Sequence, residues 1–215
     1  MSKIDFRQQS RHLYAPSAKE FAIVDVPAMR YLMIDGRGDP NTSEAYREAI
    51  EALYPVSYTL KFASKQELGR DYVVPPLEAL WWAQDMSAFA SRAKDQWYWT
   101  AMIMVPEWIQ PAQISAAVDA VRARKNPPAL ALLRHEILHE GRSVQVLHIG
   151  SYDEEGPTLS RLHHEYLPKN ALTFNGKHHE IYLSDPRKTP ASKLKTILRQ
   201  PVRAAEAGTA AANGR

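Results

Sequence analysis

YLMIDGRGDPNTSEAYREAIEALY (residues 31–54) and VLHIGSYDEEGPTLSRLHHEYLPK (146–169) line up without a gap at a constant offset of 115 residues. Each reads as a strand, a glycine-containing turn and a helix. In the first copy, apolar residues at strand-like spacing run into Gly36 and Gly38, and Asn41, Thr42 and Ser43 are candidate N-caps. In the second, the helix is entered through Pro157 and Thr158. A further strand closes each half, WYWTAMIMVP (97–106) in the first and HHEIYLSDP (178–186) in the second. Residue identity between the copies is low, so the repeat is one of pattern. The fold class expected is α+β, with two βαββ repeats (about 20–109 and 130–186), pseudo-two-fold symmetry and a ligand cleft between them.

Outward from this pair, the helix SEAYREAIEALYPVSYTLKFAS (43–64) is expected to place Ala45, Ala49, Ala52 and Leu53 on one buried face, with Pro55 either bending it or sitting in a tight local adjustment. DYVVPPLEALWWA (71–83) resumes extended structure, with Pro75 and Pro76 marking an edge or an irregular entry. PAQISAAVDAVRARK (111–125) places Pro at the first helical position and basic residues in the last turn, which suits a helix. EILHEGRSVQVLHIGSY (136–152) reads as a hairpin turning at Glu140, Gly141 and Arg142. Residues 1–18 read as a polar arm, residues 19–203 as the folded domain, and residues 204–215 as a disordered tail.

Composition narrows the function classes. The 215 residues are 45% hydrophobic and include five Trp and ten Tyr, enough for a sizeable core. Cysteine is absent, which excludes disulfides and thiolate chemistry and fits a reducing cytoplasm. The start, MSKIDFRQQSRHLY, lacks the apolar stretch of a signal peptide, and no run approaches the length of a membrane helix. A cytoplasmic chain without a membrane partner is expected. The formal net charge is +3, with much of the excess in Arg187, Lys188, Lys193, Lys195, Arg199 and Arg203. That run reads as a helix of solvated basic residues, and no nucleic-acid-binding signature accompanies it.

Aromatic residues cluster. Trp81, Trp82, Trp97, Tyr98, Trp99 and Trp108 fall within 28 residues. Adjacent Trp81 and Trp82 point to opposite faces of a strand, so one of them needs a second interface or a cleft. Such a surface suits small aromatic or cationic ligands, through stacking and cation–π contacts. Acids flank the rings: Glu78 lies three residues before Trp81, and Glu180 sits inside the apolar strand HHEIYL. Alternation puts His178, Glu180 and Tyr182 on one strand face and His179, Ile181 and Leu183 on the other. A carboxylate in that setting is either a hydrogen-bonded structural acid or a functional one.

His135, Glu136 and His139 match the zinc-protease pattern H-E-x-x-H. That chemistry needs a helix, which brings both histidines to one side, and a third ligand, for which Glu155 and Glu165 are the candidates. The strand reading of 136–152 works against it. His163 and His164 fall on the second amphipathic helix. No nucleophile elbow, P-loop or dinucleotide fingerprint occurs.

The run KHHEIYLSDPRKTPASKLKTILRQPV (177–202) resembles the C-terminal signature of the GyrI-like small-molecule-binding family. It is most similar to the stand-alone branch that includes cyclopropanoid cyclopropyl hydrolases. LEALWWA (77–83), WYWTAMIMVPEWI (97–109), HEGRSVQVLHIGSYDEE (139–155) and the helix after it agree. The resemblance implies two βαββ repeats around a Trp- and Tyr-lined cleft with a glutamate at its floor. It also implies a strand across the H-E-x-x-H residues and no metal or organic cofactor. In the hydrolase branch, glutamate, tyrosine and tryptophan are implicated in water attack on an electrophilic cyclopropane. Carried over by motif, the catalytic candidates are Glu180, Tyr152, Tyr182 and Glu78, and the ligand-binding candidates are Trp81, Trp82, Trp97, Trp99 and His178. Glu180 is the expected general base, Glu78 orients the water or shares that role, and Tyr152 or Tyr182 donates to the ligand carbonyl. One departure stands out: the family usually has Gly before L-W-W, where this chain has Ala79, and a methyl group there narrows the cleft or shifts the strand. The other reading is a binding module that sequesters or senses such compounds without turnover. Oligomeric state is not legible.

Overall fold

The computed structural model describes residues 3–84 and 93–206. The chain opens with two single-turn helices, α1 (Phe6–Gln9) and α2 (Arg11–Tyr14). Strands β1 (Ala22–Val26) and β2 (Met29–Arg37) follow, then α3 (Glu44–Glu67), β3 (Leu77–Trp82), β4 (Tyr98–Val105) and α4 (Pro111–Arg124). The second half supplies β5 (Arg134–Leu138), β6 (Gly141–Ile149) and a helical segment begun by α5 (Gly156–Arg161). That segment widens into a π turn at Leu162–Tyr166 and ends in α6 (Leu167–Lys169). Strands β7 (Leu172–Phe174), β8 (His178–Tyr182) and β9 (Lys195–Ala204) complete the sheet. No helix among the described residues is long and apolar enough to cross a membrane.

All strand pairs are antiparallel, in the order β1-β6-β9-β8-β3-β4-β2-β5, with β7 beside β9. Each half therefore contributes a strand, a helix and two more strands, and the halves meet where β3 pairs with β8. The strand–turn–helix unit recurs, but not at the expected spacing. The positive-φ turn glycines Gly38 and Gly150, and the helix starts Glu44 and Gly156, are each 112 residues apart. The ungapped offset of 115 is corrected by three residues, an odd shift that exchanges strand faces. By position in the sheet β4 answers to β9, and β3 to β8, so HHEIYLSDP does not close the second half.

The expected hairpin at Glu140–Arg142 is also corrected. Strand β5 pairs with β2, while β6 pairs with β1 and β9, so the chain runs on without reversing. Val26 faces Gly141 and Met29 faces Leu138 in one continuous register. Two long strands, each bent once, thus serve both halves and close the ladder on itself. Gly141 takes a left-handed backbone (φ 65°), which bends its strand where a side chain would be strained.

On one face of the sheet, α3 packs its apolar stripe. Ser43 caps it, its Oγ accepting from the Tyr46 amide at 3.3 Å. The stripe is Tyr46, Ala49, Ala52, Leu53, Val56 and Leu60, so Tyr46 takes the place expected for Ala45, which is exposed. Buried leucines such as Leu53 and Leu60 are each worth about 1.5–3 kcal/mol relative to exposure. The helix continues through Pro55 to Glu67. Trp99 fills the core beneath it, edge-on to Tyr46 at 4.9 Å, and a β-carbon on Gly36 would overlap its indole.

The opposite face holds a polar interior. His179 is fully buried, with Nε2 2.9 Å from Glu78 Oε2 and Nδ1 3.0 Å from Glu140 Oε1. Arg199 reaches Glu140 at 3.2 Å, donates twice to Gln145 Oε1, and donates to the Leu13 carbonyl at 2.8 Å. Tyr14 and Tyr31 donate to Glu78 at 3.4 and 3.2 Å. The N-terminal segment is therefore not a free polar arm: Leu13 and Tyr14 plug this interior. Nor is the basic C-terminal run a solvated helix, since Arg199 lies buried within β9. The tail expected to be disordered falls mostly outside the described residues.

Candidate functional site

A cleft of about 2210 Å3 opens on the α3 face, over the junction of β3 and β8. Tyr46, Ile50 and Tyr54 line it from α3, Tyr152, Glu155 and Pro157 from the turn and helix start after β6, and Trp81, Glu180 and Tyr182 from the strands. Antiparallel pairing explains the floor. Ala79 stands opposite Glu180 and Trp81 opposite His178, so these side chains share one face, while Glu78, Leu80 and His179 share the other.

Geometry at the floor is connected. Tyr182 donates to Glu180 Oε2 at 2.7 Å and accepts from Trp81 Nε1 at 3.1 Å. Trp97 meets Trp81 edge-on at 5.9 Å, and Tyr152 meets Tyr182 edge-on at 5.6 Å. His178 Nε2 lies 3.6 Å from Glu180 Oε1, beyond a hydrogen bond. Burial, followed by the charge of Glu180, pushes the Tyr152 hydroxyl up to about 12, so it remains a donor at neutral pH. Lys94, paired with Asp153 at 3.1 Å, ties the entry to β4 to the Tyr152 turn.

Glu155 is the residue that sequence reading missed as a member of this site. It is buried on the cleft wall, and its Oε1 has no hydrogen-bond partner in the protein. Burial, and then the charge of Glu180, push its carboxyl up to about 10, so it carries a proton at neutral pH. Glu155 and Glu180 thus place two carboxyl groups on one cleft, an arrangement suited to acid–base chemistry. A signal was present in the third acid of Tyr152-Asp153-Glu154-Glu155, but three acids in a row do not reveal which one turns inward.

Of the sequence candidates, the structure brings together Glu180, Tyr182, Tyr152, Trp81, Trp97 and His178. Glu78 is not among them, because register turns it to the polar interior across the sheet. Trp99 is sealed in the core under Tyr46. Trp82 borders the cleft from the opposite face of β3, stacked on Tyr98 and covered by Lys177 Nζ at 3.2 Å from the ring centroid. Ala79 is buried on the cleft side of β3 with pairing unbroken on both sides, and it is not among the residues that line the cleft. His135 and Glu136 lie on β5 and His139 directly follows it, so the H-E-x-x-H residues lack helical geometry. Among the described residues no three His, Asp or Glu side chains converge in a way that would hold a metal.

The fold and cleft define a small-molecule-binding α+β protein built from two halves around one site. The chain belongs to the GyrI-like small molecule binding domain family, which matches residues 19–203. An uncharacterized conserved protein from Listeria innocua is similar in structure, at 36% identity and a TM-score of 0.86, covering 94% of this chain and 100% of that one. A hydrolase from Listeria innocua is similar at 34% identity and a TM-score of 0.81, over the same shares. The EcmrR C-terminal domain shares the fold at 11% identity and a TM-score of 0.55, covering 86% of this chain and 98% of that one. No curated protein matches the chain.

Proposed function

We propose that this protein is a cytoplasmic, metal-independent hydrolase of electrophilic cyclopropanoid compounds, acting by general-base attack of water. The observation that carries the reading is the Trp81–Tyr182–Glu180 chain at the floor of an aromatic cleft, with the buried Glu155 carboxyl on its wall. Likeness to a Listeria innocua hydrolase over nearly the whole chain supports it. The flat part of the ligand stacks against Trp81, Trp97 and Tyr46. Glu180, held by Tyr182, takes a proton from water as its oxygen bonds to the ring methylene. The strained C–C bond breaks, and its electron pair moves into the conjugated carbonyl. Tyr152 donates to the developing oxyanion, and Glu155 supplies the proton that completes the net addition of water. Tyr182 is engaged with Glu180, so the carbonyl donor role falls to Tyr152. Glu78 acts from the polar interior, holding β8 in place through His179.

Glu180→Gln keeps the shape and the Tyr182 contact but removes the base. Turnover is expected to fall at least a hundredfold while ligand-induced Trp quenching keeps its midpoint within about threefold. Turnover near the wild-type rate would remove Glu180 from the base role.

A further inference from the structure

Stacking near Trp81 and Trp97 leaves much of the cleft unused. At about 2210 Å3 it is roughly twice the upper end of ordinary ligand sites, which run from about 300 to 1,000 Å3. Beyond Glu180, the wall is formed by His178 on β8, His163 and Ser160 on the second helical segment, and Phe174 on β7. Both ring nitrogens of His178 and Nε2 of His163 are buried without a hydrogen-bond partner in the protein. Buried polar atoms are seldom left unpaired, and three such nitrogens at one end of one cleft mark a place built to meet something polar.

Local backbone points the same way. His163 sits in the π turn Leu162–Tyr166, the one wide turn of its helical segment, and such turns are frequent at functional sites. Its ring stands edge-on to Phe174 at 4.9 Å, while His164 is held apart by Ser160, Oγ to Nδ1 at 3.2 Å. Burial, then His178 and His164, bring His163 down to about 4, so the ring is neutral at physiological pH. A neutral imidazole offers one donor and one acceptor.

We infer that this end is a hydrogen-bonding subsite in which His163 and His178 select extended ligands carrying a neutral hydroxyl, phenol or amide group away from the stacked ring. The inference rests on the proposed aromatic cleft and specifies the ligand class it takes.

Two probes separate the two ideas: N-phenyl-2-naphthamide and N-(3-hydroxyphenyl)-2-naphthamide, titrated by intrinsic Trp fluorescence. The hydroxyl should tighten binding to the wild type about tenfold. His163→Phe and His178→Leu are each expected to reduce that gain to under twofold, and either variant decides if only one folds. Binding of the plain naphthamide without a hydroxyl gain, or a full gain retained in a folded variant, overturns the subsite and leaves the aromatic cleft standing. Failure of both probes on the wild type overturns both.

Discussion

Glu180 and Glu155 come from different halves of one strand–turn–helix–strand unit and meet only in three dimensions. Glu155 gives the clearest residue-level prediction. Between its ordinary value of 4.5 and about 10, the unfolded chain is ionised there while the folded chain keeps the proton, so this group makes folding less favourable as pH rises across that window. Glu155→Gln should therefore raise the unfolding midpoint at pH 8 and change it little at pH 4, read by thermal denaturation. A lower midpoint at pH 8 would contradict its burial as a protonated acid. Gly36 gives a second. Its backbone lies against the Trp99 indole, so Gly36→Ala should cost about 1–3 kcal/mol in chemical denaturation; unchanged stability would mean that the indole has room to move. At this scale the sequence was partly legible. Period-2 alternation placed His178, Glu180 and Tyr182 on one face, as the registers have it. The same logic applied across β3 would have removed Glu78, but its facing partner is set by pairing with β8, a contact about 100 residues away in sequence. Trp99 was misjudged for the same reason: a tryptophan on the cleft face of a strand lines the cleft only where no helix covers it.

Helix starts and strand spans could be read from caps and alternation, because both are local. Ser43, Pro111 and the turn glycines mark their elements in the chain itself. Partner choice was not local. Residues 134–149 contain two strands around Glu140 and Gly141, and nothing in that stretch says that each pairs elsewhere. Arg199 shows the limit most plainly. Counted with its basic neighbours it reads as surface charge, yet in β9 it carries the ion pair to Glu140. Arg199→Ala should cost about 3–5 kcal/mol, since it strands a buried carboxylate; a loss under about 1 kcal/mol would contradict that placement. The same network sets a pH optimum for stability. Burial pulls His179 down, but Glu140 and Glu78 raise it to about 9, so its contribution is complete below its ordinary 6.5 and is lost as pH climbs through 9. Burial pushes Glu140 up, but His179 and Arg199 hold it at about 2, so its contribution is complete above 4.5 and is lost as pH falls toward 2. Stability should peak between about pH 4.5 and 6.5. A maximum above pH 9 in urea titrations would contradict the charged His179 pair.

As a whole, the molecule divides its polar groups between two faces of one closed sheet. The interior face locks β3, β8 and β9 with a plugged ion-pair network; the other leaves Glu180, Tyr182 and Trp81 at the floor of an open aromatic cleft. That division leaves the Glu180 carboxyl group facing the cleft, held by Tyr182. The repeat made this architecture legible in outline, and the family resemblance named it; the closure by two bent strands depended on pairings that only folding reveals. The measurement closest to the central claim is mass spectrometry of a cyclopropanoid alkylating agent incubated with the wild-type protein in 18O-labelled water. A ring-opened product carrying one labelled oxygen, formed well above the buffer rate and absent with Glu180→Gln, is the expected result. Trp quenching with the ligand recovered intact would contradict hydrolysis and leave a binding module.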